Sequence, residues 1–116
     1  MQKADFVRLS HMLDATKDAI AFVKDETRAS LNTDRKLVLA LMKSIEIIGE
    51  AAAKTSIELQ ESVQEIPWPD IISMRNRLIH AYFDINLDIL WQTVVEDLPS
   101  LVHRFIITIT YYRPYR

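Results

Sequence analysis

Residues 75 to 84 read RNRLIHAYFD, which sets Arg75, Asn76, Arg77, His80 and Tyr82 within a single short stretch. An imidazole titrates near neutrality, so His80 can take the proton from a ribose 2'-hydroxyl or give one to a departing 5'-oxygen. A guanidinium is a fixed cation whose planar fork matches phosphate oxygens, so Arg75 can offset charge that builds on phosphorus. Together they are a candidate catalytic pair for phosphodiester cleavage without a metal. Their spacing raises a geometric difficulty: five residues turn through about 140° on an ideal helix, which aims the two side chains apart. Either the helix ends or distorts near His80, or two subunits pool their motifs.

Plainer roles exist for the same residues. On a helical wheel Ser73, Asn76, Arg77 and His80 share a polar arc, whereas Ile71, Met74, Leu78 and Tyr82 lie opposite and Arg75 falls inside that apolar arc. A buried guanidinium needs a carboxylate, a phosphate or water, and Glu46 and Glu50 on the preceding helix are the candidate ion-pair partners of Arg75. His80 alone reads as a hydrogen-bonded histidine near a helix end, and Tyr82 alone as core packing. His11 and His103 form no HxxxH or HExxH pair, which argues against a zinc site. Lys43, Glu46, Glu50 and Lys54 read as a solvated mixed-charge face. Arg104, Tyr112, Arg113, Tyr115 and Arg116 give the C-terminus a basic, aromatic character compatible with RNA contact or with a solvated tail.

The elements that must position these groups are helical throughout. Phe6, Leu9, Leu13, Ile20 and Val23 form one side of a first helix over about residues 2 to 28. Asn32 or Thr33 is a candidate cap for a second helix reaching about residue 60, with a stripe of Leu37, Leu41, Ile45, Ile48 and Ala52. Pro69 and Asp70 open a third helix, since proline is tolerated in a first turn and an acid suits its positive end. Asn86 caps a fourth, striped by Leu87, Leu90, Trp91, Val94, Leu98, Leu101 and Phe105, which Pro99 kinks or splits. The IITITYY run at 106 to 112 is expected to be helical. Gly49, in mid-helix beside three alanines, predicts a close helix crossing.

The resulting expectation is one all-α domain over residues 1–116, an antiparallel bundle of four to five helices. The chain has 116 residues, 49% apolar and 26% charged, and a net charge of -2, so a nucleic-acid partner would need a local basic patch. With one glycine and no cysteine, glycine-rich phosphate loops, disulfides and thiolate chemistry are excluded, and no cofactor is expected. No apolar run reaches membrane-spanning length, and MQKADFVRLSHMLD reads as an amphipathic helix, not a secretory signal; the expected location is cytoplasmic, with no membrane association.

RNRLIHAY has the pattern RNxxxHxY and resembles the signature of the HepT-like family within the HEPN superfamily. IIGEAA at 47 to 52, PWPDIISMRN at 67 to 76, FDINLDILW at 83 to 91 and EDLPSL at 96 to 101 are similar to that family in the same order. The resemblance implies a homodimeric helical bundle acting as a metal-independent endoribonuclease, the toxin of a type II/VII-like toxin-antitoxin system. Its implied partner is an MntA-like nucleotidyltransferase antitoxin, and its implied substrate is RNA. By the same resemblance Arg75 and His80 are catalytic, Asn76 supports the site, and Tyr82 is where the antitoxin adds AMP. Pairing of two subunits would bring two motifs to one cleft. The rival reading is a non-catalytic helical subunit that docks onto a nucleotidyltransferase and helps hold its substrate; a plain dimerisation bundle would leave Arg75, His80 and Tyr82 unmotivated.

Overall fold

The first helix starts beside the end of the third: buried Asp5 accepts hydrogen bonds from the Ser56 N–H at 2.9 Å and the Ser56 hydroxyl at 2.5 Å. The Arg8 guanidinium, one turn on, donates to the Lys54 carbonyl oxygen at 2.6 Å. In this computed structural model, which describes residues 1–79 and 84–113, the elements are α1 (Lys3–Phe22), α2 (Ser30–Thr33), α3 (Arg35–Lys54), α4 (Ile57–Ser62) and α5 (Trp68–Leu78), followed by α6 (Leu87–Gln92), a π-helical turn (Thr93–Asp97) and α7 (Leu98–Tyr111). The Asp5–Ser56 and Arg8–Lys54 bonds make α1 and α3 antiparallel neighbours.

Close approach at Gly49 sets the next pair. A Cβ on Gly49 would lie 3.4 Å from the Ile71 carbonyl oxygen and 3.7 Å from that of Ile72, so the backbone at the start of α5 rests on α3 near its end. This is the crossing that the glycine predicts. With α5 packed on α3 and α7 packed along α1, the four long helices form a bundle with α2, α4 and α6 as the short elements between them. The all-α bundle expectation holds.

Local signals explain most element ends. Asn86 caps α6, its Oδ1 accepting from the Ile89 N–H at 3.0 Å, and Pro69 stands in the first turn of α5. Ahead of Pro99 the helix widens into a π turn before α7 begins, which is the split that a proline lacking an N–H imposes. The 106 to 112 run is helical through Tyr111.

Three boundaries depart from the sequence reading. The first helix ends at Phe22 rather than near 28, in a turn where Asp25 takes a left-handed φ of 62°. Asp34, not Asn32 or Thr33, caps α3, its Oδ1 accepting from the Leu37 N–H at 3.0 Å. The second long helix stops at Lys54, because Ser56 is extended and caps α4 as a separate element through a 3.2 Å bond from the Leu59 N–H.

The core is continuous. Leu37, Leu41, Ile45, Ile48 and Ala52 of α3 are all buried as the stripe predicts, in one cluster with Leu90, Val94, Leu98, Leu101 and Phe105. In α1, Leu9 is buried but Phe6, Leu13 and Ile20, with Val23 just past its end, are only partly covered; Met12, Ala15, Thr16 and Ala19 complete the buried face. The shift follows from α1 lying between α3 and α7, which cover two sides of it. Among the described residues no helix is long and apolar enough to cross a membrane.

Candidate active site

The motif begins in the last turn of α5. Trp68, Ile71, Met74 and Leu78 form its buried stripe, and the indole N–H of Trp68 donates to the Val63 carbonyl oxygen at 2.9 Å, pinning the start of the helix. The helix ends at Leu78, two residues before His80. Ile79 is extended (φ -108°, ψ 120°) and forms an isolated antiparallel bridge with Ile85, reinforced by the Asn86 N–H donating to the Leu78 carbonyl oxygen at 2.7 Å. One of the two ways out of the 140° difficulty is therefore met: the α-helix does not run on to His80.

Arg75 is exposed, which corrects its placement within the apolar arc. The covered stripe is narrow, running through residues 71, 74 and 78, so the flank that carries Arg75 stays in water. The ion pairs expected with Glu46 and Glu50 are not formed. Glu46 lies 3.6 Å from Lys43 on its own helix, and Glu50 lines a groove between α1 and α3 with Arg8 and Lys54. A solvated guanidinium needs no buried counter-ion, which removes the reason for such a pair. Among the described residues Arg75 makes no ion pair. Asn76 is exposed beside it. Arg77 points the other way, 3.9 Å from Asp70 and 3.5 Å from the Ser73 hydroxyl, over a groove shared with Glu96, Asp97 and Arg104.

His80 and Tyr82 lie outside the described residues, as do Tyr115 and Arg116 of the C-terminal segment. His11 on α1 and His103 on α7 are both exposed and belong to different helices. The family model described as "Ribonuclease HepT-like" matches residues 12–108, a span that includes the motif and the segments that flank it.

The chain belongs to the HepT-like family. It is 37% identical over 97 residues to a protein of Thermococcus cleftensis named "Probable ribonuclease HepT", covering 80% of this chain and 88% of that one. A protein of Caldanaerobacter subterraneus subsp. tengcongensis named "Putative RNase" is 37% identical over 93 residues, 80% of this chain and 83% of its own. Another so named, from Methanocaldococcus jannaschii, is 33% identical over 93 residues, 80% and 85% of the two chains. No solved structure matches the chain.

In this HepT-like chain residues 84–87 also meet α2 and the start of α3 in a feature that sequence reasoning missed. Leu31, Asn32, Arg35 and Val38 line a groove with Asp84, Ile85 and Leu87. Its two sides are about fifty residues apart along the chain, so no local periodicity or spacing could have joined them.

Proposed function

We propose that this protein is a metal-independent endoribonuclease toxin in which Arg75 and His80 carry the chemistry. The observation that carries the reading is the exposed Arg75, without an ion pair among the described residues, in the final turn of a helix that stops two residues short of His80. The family and the names of its relatives point to the same substrate class.

In the proposed reaction an RNA 2'-oxygen attacks the adjacent phosphorus, and the bond to the 5'-oxygen of the next nucleotide breaks. The products are a 2',3'-cyclic phosphate and a 5'-hydroxyl. His80 serves a proton transfer, taking the 2'-proton or protonating the leaving oxygen, and Arg75 balances charge on the phosphoryl oxygens. Asn76 supports the arginine. Two copies of the chain pair as a homodimer and place two motifs at one cleft, which supplies the acid and the base from different subunits. An MntA-like nucleotidyltransferase antitoxin silences the site by joining AMP to the Tyr82 hydroxyl, where a bulky anion obstructs RNA and competes for Arg75.

The test is incubation of purified protein with total RNA in the presence of a chelator, with mapping of fragment ends. Fragments ending in 2',3'-cyclic phosphate are expected, and His80→Ala is expected to yield none. Unchanged RNA, or equal cutting by the variant, overturns the reading. Co-expression with a neighbouring nucleotidyltransferase followed by intact mass checks the modification, and a Tyr82→Phe variant that still gains AMP refutes that residue.

A further inference from the structure

We propose that the groove between α2, the first turns of α3 and residues 84–87 is a subsite for one unpaired nucleobase of the RNA, next to the linkage that is cut. The proposal rests on the ribonuclease reading above and adds to it where part of the substrate sits.

Position is the first argument. Ile85 lines the groove and is bridged to Ile79, the residue immediately before His80, so the groove abuts the segment that carries the motif. A base held there belongs to a nucleotide close to the reacting phosphate.

Shape and polarity are the second. The floor is aliphatic: Leu31 and Val38 are buried at 3% and 6% exposure, and Leu87 is partly covered. The space, about 400 Å³, falls in the range of small-ligand sites and is large enough for one base. Asn32, Arg35 and Asp84 stand exposed on the rim.

Charge selects a base over a phosphate. Arg35 and Asp84 cancel, so the rim has no net attraction for an anion, yet it presents donors and acceptors to the edge of a neutral ring. Neither makes an ion pair among the described residues, although both line the same groove. Asn32 is held in place: its Oδ1 accepts from Arg28 at 3.0 Å, and Arg28 donates to Asp88 at 2.7 Å, which leaves the Asn32 amide N–H groups as the reading edge. Sequence-selective RNA recognition works mostly on unstacked bases inserted into such pockets.

The test uses the whole protein and a set of 2'-O-methyl oligoribonucleotides, which cannot be cleaved, each abasic at one position. Binding is read by fluorescence anisotropy, and cleavage of the unmodified RNA is mapped in parallel. One abasic position beside the cut is expected to weaken binding by roughly tenfold, on the scale of single-base contacts to protein. Thr33→Trp, which fills the groove from its exposed rim, and Arg35→Ala are each expected to remove that difference while leaving the melting temperature unchanged. RNA that is bound and cut with equal loss at every abasic position overturns the subsite and leaves the ribonuclease reading standing. So does retention of the single-position effect in both folded variants. A wild-type protein that neither binds nor cuts RNA overturns both.

Discussion

Ile79 and Ile85 face one another across an isolated antiparallel bridge, which returns the chain to the end of α5 before α6 begins. Asn86 holds this return at two points, donating its N–H to Leu78 and accepting from the Ile89 N–H through its side chain. Asn86→Ala should lose the cap and lower stability by about 1 kcal/mol, read as a lower denaturation midpoint. Asn86→Pro also deletes the backbone donor to Leu78, so it should cost more. Equal midpoints for wild type and Asn86→Ala would show that the cap carries no weight.

Arg75 and Leu78 share one helical turn but should behave in opposite ways. Arg75 is exposed, so Arg75→Ala should leave the melting temperature in place while cutting RNA cleavage by at least about a hundredfold. Arg75→Lys keeps the charge but loses the fork, and should restore little of it. Leu78 is fully buried, and Leu78→Ala should cost about 2 to 5 kcal/mol in denaturant unfolding. Matching destabilisation by both substitutions would favour a packing role for the arginine.

Asp5 is a carboxylate at 1% exposure, satisfied by the Ser56 N–H and hydroxyl. Removing it leaves the Ser56 N–H without its acceptor, so Asp5→Ala should destabilise by about 1 to 3 kcal/mol. Ser56→Ala should cost a similar amount, since it removes the α4 cap as well. A double-mutant cycle should give coupling of at least about 0.5 kcal/mol; additivity would mean that the two residues act independently.

Gly49 has room for one carbon. At 3.4 Å from the Ile71 oxygen a methyl group makes ordinary contact, and alanine is worth about 1 kcal/mol over glycine inside a helix. Gly49→Ala should therefore be neutral or slightly stabilising by thermal melting. Gly49→Leu must push α5 off α3 and should lower the melting temperature strongly. Tolerance of leucine would show that the crossing is looser than the backbone contact indicates.

Much of this molecule was written locally. The α3 stripe, the Asn86 cap, the proline at the start of α5, the break ahead of Pro99 and the tight crossing at Gly49 each follow from a residue acting on its own helix or on its nearest neighbour. The RNxxxHxY motif and the ordered segments around it were enough to indicate the HepT-like family.

Tertiary structure decided what those signals leave open. Periodicity says that a helix has an apolar side, but neighbours decide how wide the covered arc is. α1, flanked on two sides, buries Met12, Ala15 and Ala19; α5 is covered along a narrow strip, which leaves Arg75 in water. Buried Asp5 needed Ser56, some fifty residues away, before its polarity made sense. The groove at Asn32, Arg35 and Asp84 likewise exists because α6 packs on α2 and α3, with Arg28 bound to Asp88, and long-range closure of that kind leaves no mark in local residue spacing.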